Sequence, residues 1–429
     1  MSTSNMLRAS ILPPALLVLI SAGFTFQTFA DPTPLGPEAS HQAVIALRDW
    51  LKEPPAQRRD VTGCAFATTP LTKDDAKEAK DLLWAEHVAT IKADRKAEMD
   101  AKSVTLDALT MKFETVDFGS PDKPPASGRS LFLSMHGGGG APASVNESQW
   151  RNQVQLAKGY HPAEGIYLAP RAPTDTWDLW HQPHIDRFFQ RLIENLIVLG
   201  NVNPNRVYVM GYSAGGDGVY QLGPRMADSW AAASMMAGHP NDASPLGLRN
   251  IGFAIQVGAN DGAYHRNQVA AEWGGKLDEL QKADPTGYAH FTELHEGKAH
   301  WMDMEDRKAI PWMEKFTRNP YPQKVVWHQS NVTHDRFYWL AVPKEQAHGG
   351  QDIVAELKDH SVEITGKEPE TISVRLNDAM LDLDQPVVIT RNGKEVFRGQ
   401  ATRTIATLEK TLEGRGDPDL MFSAEIPAK

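Results

Sequence analysis

Val207-Tyr208-Val209-Met210-Gly211-Tyr212-Ser213-Ala214-Gly215-Gly216 is an apolar run that breaks into a serine flanked by glycines, with a helix-compatible segment after it. Residues 211–215 read G-x-S-x-G. A serine on a tight strand-to-helix turn is held in a strained conformation, and the flanking glycines leave room for it. Such a turn exposes the hydroxyl and aims it at the start of a helix. Outward from this point, short apolar runs recur at 111–118, 130–135, 165–169, 230–236, 251–257 and 289–294. Helical stretches, notably 185–199 and 270–282, separate most of them. Strands alternating with helices predict an α/β fold: a mostly parallel sheet covered on both faces.

A nucleophilic serine needs a place for the charge that develops on its substrate. His136-Gly137-Gly138-Gly139-Gly140 directly follows the run at 130–135. Glycine backbones let N–H groups approach an oxyanion closely, so Gly137 and Gly138 are the expected loop donors and Ala214 the other. The run lacks the Gly-Lys-Ser/Thr ending of a phosphate-binding loop. The base must be a histidine, held in one tautomer by an acid. On a serine turn of this kind the acid and then the histidine follow in the chain. Asp261 ends the run at 251–257 through Gly258-Ala259-Asn260 and is the first candidate; Asp242 is the second. His300, in Glu296-Gly297-Lys298-Ala299-His300-Trp301, is the expected base. It is preferred to His290 and His295, which fall within or at the end of the last strand. Trp177, Trp180 and His181 lie in the loop before the helix at 185–199, at the ligand-binding edge of such a sheet, and are candidate substrate-binding residues. No metal-ligand spacing is present, and the chemistry needs no cofactor.

The ordered set 136–140, 211–216, 258–261 and 297–300 resembles the α/β-hydrolase superfamily. More narrowly, it resembles secreted esterases related to polyhydroxybutyrate depolymerases and to feruloyl and acetylxylan esterases. Asn203-Pro204-Asn205-Arg206-Val207-Tyr208-Val209 is similar to the approach to the serine in that group. The resemblance covers about residues 110–318. It implies a serine esterase whose substrate is a small-molecule or polymer-linked ester. The chain departs from the group in its cysteines: Cys64 is the only one, so no internal disulfide forms.

The rest of the chain frames this region. Residues 1–30 read as an export signal, with Arg8, an apolar stretch at 11–20 and small residues around a cut after Ala30. The stretch is too short and broken for a membrane anchor. The expectation is an exported protein of the periplasm, cell surface or medium. Residues 31–109 are expected to be a helical extension packed against the catalytic domain. Its second helix starts at an N-cap Thr72 and runs to about Lys102. Residues 110–320 form the catalytic domain. Residues 321–429 read as a small β-rich module, accessory to catalysis, with a hairpin turn at Asn392-Gly393. Lys plus Arg total 44 against 54 Asp plus Glu, a net charge of −10, which argues against nucleic acid as a partner. Two other functions fit parts of the pattern. One is a peptidase resembling the prolyl oligopeptidase catalytic domain, although residues 31–110 read as helices rather than a propeller. The other is a non-catalytic polysaccharide-binding protein on a hydrolase scaffold.

Overall fold

The computed structural model describes residues 36–120, 123–366 and 369–429. The expected export segment and its cut after Ala30 lie outside them. The described chain opens with helices α1 (Pro37–Lys52), α2 (Lys73–Asp94) and α3 (Lys96–Asp100). The Thr72 hydroxyl accepts the Asp75 N–H at 3.2 Å and caps α2. The helical region ends before the expected Lys102, which takes a left-handed φ of 49°. Residues Ser103–Leu106 pair as strand β1, and Val104 is drawn into the core.

The central region alternates strands and helices. It comprises β2 (Leu109–Phe118), β3 (Arg129–Met135), α4 (Ala143–Tyr160), β4 (Gly165–Pro170), α5 (Pro183–Leu199) and β5 (Val202–Tyr212). Then follow α6 (Ala214–Arg225), β6 (Ala232–Met236), β7 (Gly252–Gly258), α7 (Arg266–Ala283), β8 (His290–His295) and α8 (Ala309–Met313). The eight strands make one sheet in the order β1-β2-β4-β3-β5-β6-β7-β8. From β4 to β8 every neighbouring pair is parallel, while β1 and β2 pair antiparallel at one edge. Strands β4, β6 and β7 are buried along their whole length, as a sheet covered on both faces requires. Parallel strands end at a common edge, so the loops after β3, β5, β7 and β8 gather there.

The C-terminal region is β-rich. It contains β9 (Lys324–His328), β10 (Arg336–Phe337), β11 (Leu340–Ala341), β12 (Asp352–Lys358), β13 (Ser361–Thr365), β14 (Ile372–Leu376), β15 (Val387–Arg391) and β16 (Lys394–Gly399). Helix α9 (Ile405–Arg415) and β17 (Ala424–Ala428) complete it. The strands form two sheets, β10-β11-β14-β17 and β16-β15-β13-β12-β9. Asn392 and Gly393, at φ 50° and 78°, turn β15 into β16.

The hydrophobic clusters cut across the expected domain lines. Leu133, Phe189 and Trp230 of the central region share one core cluster with Trp327, Trp339 and Ile389 of the C-terminal sheets. The N-terminal helices differ from expectation in their main partner: Val44, Leu47 and Leu83 cluster with Ile405, Leu408 and Leu412 of α9. That face of α9 is apolar and would otherwise meet water. Contact with α5 of the central region includes Glu194, which pairs with His87 at 2.9 Å and with Arg95, and Glu98 of α3, which pairs with Arg191 at 2.7 Å.

Candidate active site

Ser213 stands between β5 and α6 at φ 57° and ψ −122°. A non-glycine residue there carries about 1–3 kcal/mol of strain and persists only where its surroundings hold it. Here the Ser213 N–H donates to the Met236 carbonyl (2.9 Å) and the Asp217 N–H donates to the Ser213 carbonyl (3.0 Å). A Cβ on Gly215 would lie 2.2 Å from the Met135 carbonyl oxygen, so α6 can press this closely on β3 only with glycine at that position. Asp261 follows β7 and is 2% exposed; His300 lies in the loop after β8. His300 Nδ1 is 2.7 Å from Asp261 Oδ2, and Nε2 is 3.0 Å from Ser213 Oγ. With Nδ1–H donating to the carboxylate, Nε2 is left to accept the serine proton. The other Asp261 oxygen faces Arg266 at 3.6 Å.

The alternative side chains are engaged elsewhere. His295 is buried, with Nε2 2.7 Å from Gln256 Oε1 and Nδ1 3.2 Å from Glu305. His290 contacts the Tyr288 carbonyl and Asp278. Asp242 accepts from Gln221 at 2.9 Å and from Asn331.

The glycine loop is fixed by two buried side chains. The Ala172 N–H donates to His136 Nε2 (3.1 Å), so Nδ1 carries the hydrogen that reaches the Gly137 carbonyl at 2.6 Å. Burial, with Arg171 adding to it, pulls His136 down to about 4 and keeps the ring neutral. Because the Gly137 carbonyl turns to His136, the trans peptide turns the Gly138 N–H the other way. Asn146 of α4 accepts the Gly139 N–H (3.1 Å) and donates to the Gly139 carbonyl (3.0 Å) and to Asp175 (2.9 Å). Gly138 has a φ of 117°, and a Cβ there would sit 2.0 Å from Asn146 Oδ1. Gly137 and Gly138 line the same cleft as Ser213 and His300. Ala214 opens α6, so its N–H has no acceptor within the helix.

A mostly parallel eight-stranded sheet with a strained serine between its fifth strand and the next helix, bonded to a histidine after the last strand, decides the fold. The chain has the α/β-hydrolase fold. No family model matches it. Over 136 residues it is 30% identical to a putative esterase, NocK, of Nocardia uniformis subsp. tsuyamanensis. The match spans 30% of this chain and 39% of that protein. Among solved structures, a thermostable esterase is similar at 18% identity and a TM-score of 0.36, over 50% of this chain and 62% of the other. A Bacillus cereus carboxylesterase is similar at 16% identity and a TM-score of 0.35, over 53% of this chain and 98% of the other.

The cleft at Ser213 measures about 630 Å³. Its wall is α4, through Val145, Gln149, Asn152 and Leu156, faced by Tyr212 and Trp301. The substrate-contact candidates from the β4–α5 loop do not line it. Trp180 is fully buried and its indole N–H donates to the His136 carbonyl (2.9 Å), so this ring supports the glycine loop from beneath. His181 is held neutral by burial, its value lowered to about 4. Trp177 is exposed but sits outside the cleft, beside Gly140. Sequence reasoning missed Asn146 and the α4 wall. Asn146 stands seven residues after Gly139, inside a segment with no catalytic motif, and only its contacts reveal it. Among the described residues no group of three or more His, Cys, Asp or Glu could hold a metal ion. No described helix is long and apolar enough to cross a membrane.

Proposed function

We propose that this chain hydrolyses carboxylic esters through an acyl-enzyme on Ser213. The observation that carries the reading is His300, within hydrogen-bond reach of both Ser213 Oγ and Asp261. His300 takes the Ser213 proton as Oγ attacks the ester carbonyl, and Asp261 stabilises the imidazolium. N–H groups of Gly137, Gly138 and Ala214 receive the oxyanion. His300 then protonates the departing alcohol. Water, deprotonated by His300, attacks the acyl-enzyme and releases the acid. No cofactor enters these steps. We also propose export of the chain, on the strength of its first thirty residues.

Among the described residues, four of the five large exposed apolar side chains, Val145, Trp177, Tyr264 and Trp301, follow strands that end at the catalytic edge. Such a rim favours an ester attached to a large molecule over a small free one. The test is a panel of p-nitrophenyl esters, acetylated xylan, methyl ferulate and peptide amides, each with wild type and Ser213→Ala. A fluorophosphonate probe should label Ser213 and block turnover. Labelling of a different serine, or faster turnover of the amides than of every ester, would overturn the reading.

A further inference from the structure

We infer that Tyr212, the variable second letter of the G-x-S-x-G motif, is a positioning residue that latches the His300 loop to the nucleophile turn. The inference rests on the proposed role of His300. The Tyr212 hydroxyl donates to the main-chain carbonyl of His300 at 2.7 Å. The same oxygen accepts the main-chain N–H of Met302 at 3.1 Å. One phenol therefore grips the base loop on both sides of Trp301, with both bonds made to backbone rather than to exchangeable side chains. The ring meets the imidazole of His300 edge-on at 5.9 Å and lies 5.7 Å from Trp301. Tyr212 is only 8% exposed, and Met302 below it is fully buried.

The geometry explains why the latch belongs in the motif. Tyr212 and Ser213 are adjacent on one rigid turn, so any bond from Tyr212 to the His300 loop fixes the distance between nucleophile and base. The acid side is tied separately: the Asn260 N–H donates to the Lys298 carbonyl at 2.8 Å. The loop between β8 and α8 also carries the exposed Trp301. Burial pushes the phenol well above its ordinary value, so the hydroxyl stays a donor throughout the working pH range.

Tyr212→Phe keeps the ring and removes the latch. A loop displaced by about 1 Å can cost about 100-fold in rate. The expected result is kcat lower by about 10- to 100-fold with KM within about twofold of wild type, and fluorophosphonate labelling of Ser213 slowed in parallel. Unchanged kcat in a folded Tyr212→Phe protein overturns the inference. So does a raised KM with unchanged kcat, which would make Tyr212 a substrate contact. If the variant fails to fold, amide exchange in the wild-type protein decides. A Met302 amide exchanging as slowly as the core supports the latch, and fast exchange refutes it. Absence of labelling and turnover in wild type would instead defeat the hydrolase reading, while Met302 exchange still tests the latch.

Discussion

The residues around Ser213 differ in how their removal should register, because some touch the reacting atoms and others hold those that do. Ser213→Ala removes the proposed nucleophile, and the loss should approach the roughly 10⁶-fold seen for a triad serine in a well-studied protease. His300→Ala should be comparably inactive on activated esters. His295→Ala should keep most of the turnover and instead lower the melting temperature, since it leaves buried Gln256 without its 2.7 Å partner. A His295→Ala protein that is stable but inactive would reverse the assignment. Asn146 belongs to the second kind. Asn146→Ala leaves the Gly139 N–H unbonded and takes one of two donors from the Gly139 carbonyl, which keeps only the Ala141 N–H, beneath the proposed oxyanion site. Losing one oxyanion donor typically costs about 10²–10³ in kcat, and a loosened loop should approach the lower figure with KM little changed. Full kcat in Asn146→Ala would mean the loop needs no such support. That Ser213 and His300 would come together was legible in the sequence because their motifs are local and their order along the chain is informative. Asn146 was not, because nothing about an asparagine in a polar helix distinguishes it until Gly139 and Asp175 are in place around it.

The strand β3, its glycine loop and α4 act as one element, and their titration has a definite sign. His136 in this unit is held at about 4, against about 6.5 in an unfolded chain. Between those values the unfolded state binds the extra proton. This contribution is therefore complete above about pH 6.5 and is lost as pH falls toward 4, by up to about 1.4 kcal/mol per pH unit. His181, also lowered to about 4, acts in the same direction. His136→Asn should be less stable than wild type at pH 7.5 yet lose less on acidification to pH 5, in urea unfolding at both values. Equal losses in the two proteins would show that His136 does not carry the acid sensitivity. The element also explains what the sequence hid. The buried face of α4 is Asn146, Trp150, Gln153, Ala157 and Tyr160, correctly spaced for a helix but interrupted by two polar residues, Asn146 and Gln153. A search for apolar periodicity passes over it. The expected substrate contacts came from the β4–α5 loop, which lies at the ligand-binding edge of the sheet and whose tryptophans are conspicuous in sequence. In the structure one of them, Trp180, is core. Trp301→Ala, on the cleft wall, should raise KM for a polymeric ester several-fold while leaving kcat on a small soluble ester close to wild type. The opposite split would place Trp301 in the base machinery rather than in binding.

Over the whole molecule, the expectation of an accessory C-terminal module meets the physical fact of a shared core. Arg318, just before the C-terminal strands, donates to Asp417 Oδ2 (2.7 Å), the Asp228 carbonyl (2.8 Å) and Asn205 Oδ1 (2.9 Å), and is 4% exposed. Tyr338 donates its hydroxyl to the Ala227 carbonyl and its N–H to Asp228, both at 3.0 Å. His334 meets Asp186 at 2.8 Å, and Asp186 is also the partner of buried Arg225. A chain ending at Asn319 would strip these partners from Arg318, Asp228 and Asp186. It would also remove Trp327, Phe337, Tyr338 and Trp339 from a cluster that includes Leu222, Met226 and Trp230. Uncovering a buried side chain of that size costs about 1.5–3 kcal/mol. A domain's whole stability is only about 5–15 kcal/mol. Exposing three or four such residues is therefore enough to unfold the remainder, before any loss from unpaired charges is added. The chain ending at Asn319 should aggregate or lose its near-ultraviolet circular dichroism, and its small-ester activity should disappear with its fold. If it instead elutes as a folded monomer with wild-type kcat on p-nitrophenyl acetate, the shared core is dispensable and the C-terminal sheets are a detachable accessory after all. Intermediate behaviour is also informative: a folded truncation with kcat intact but weak binding of polymeric esters would assign the C-terminal sheets to substrate capture, since all three side chains of the proposed machinery come from residues 213–300.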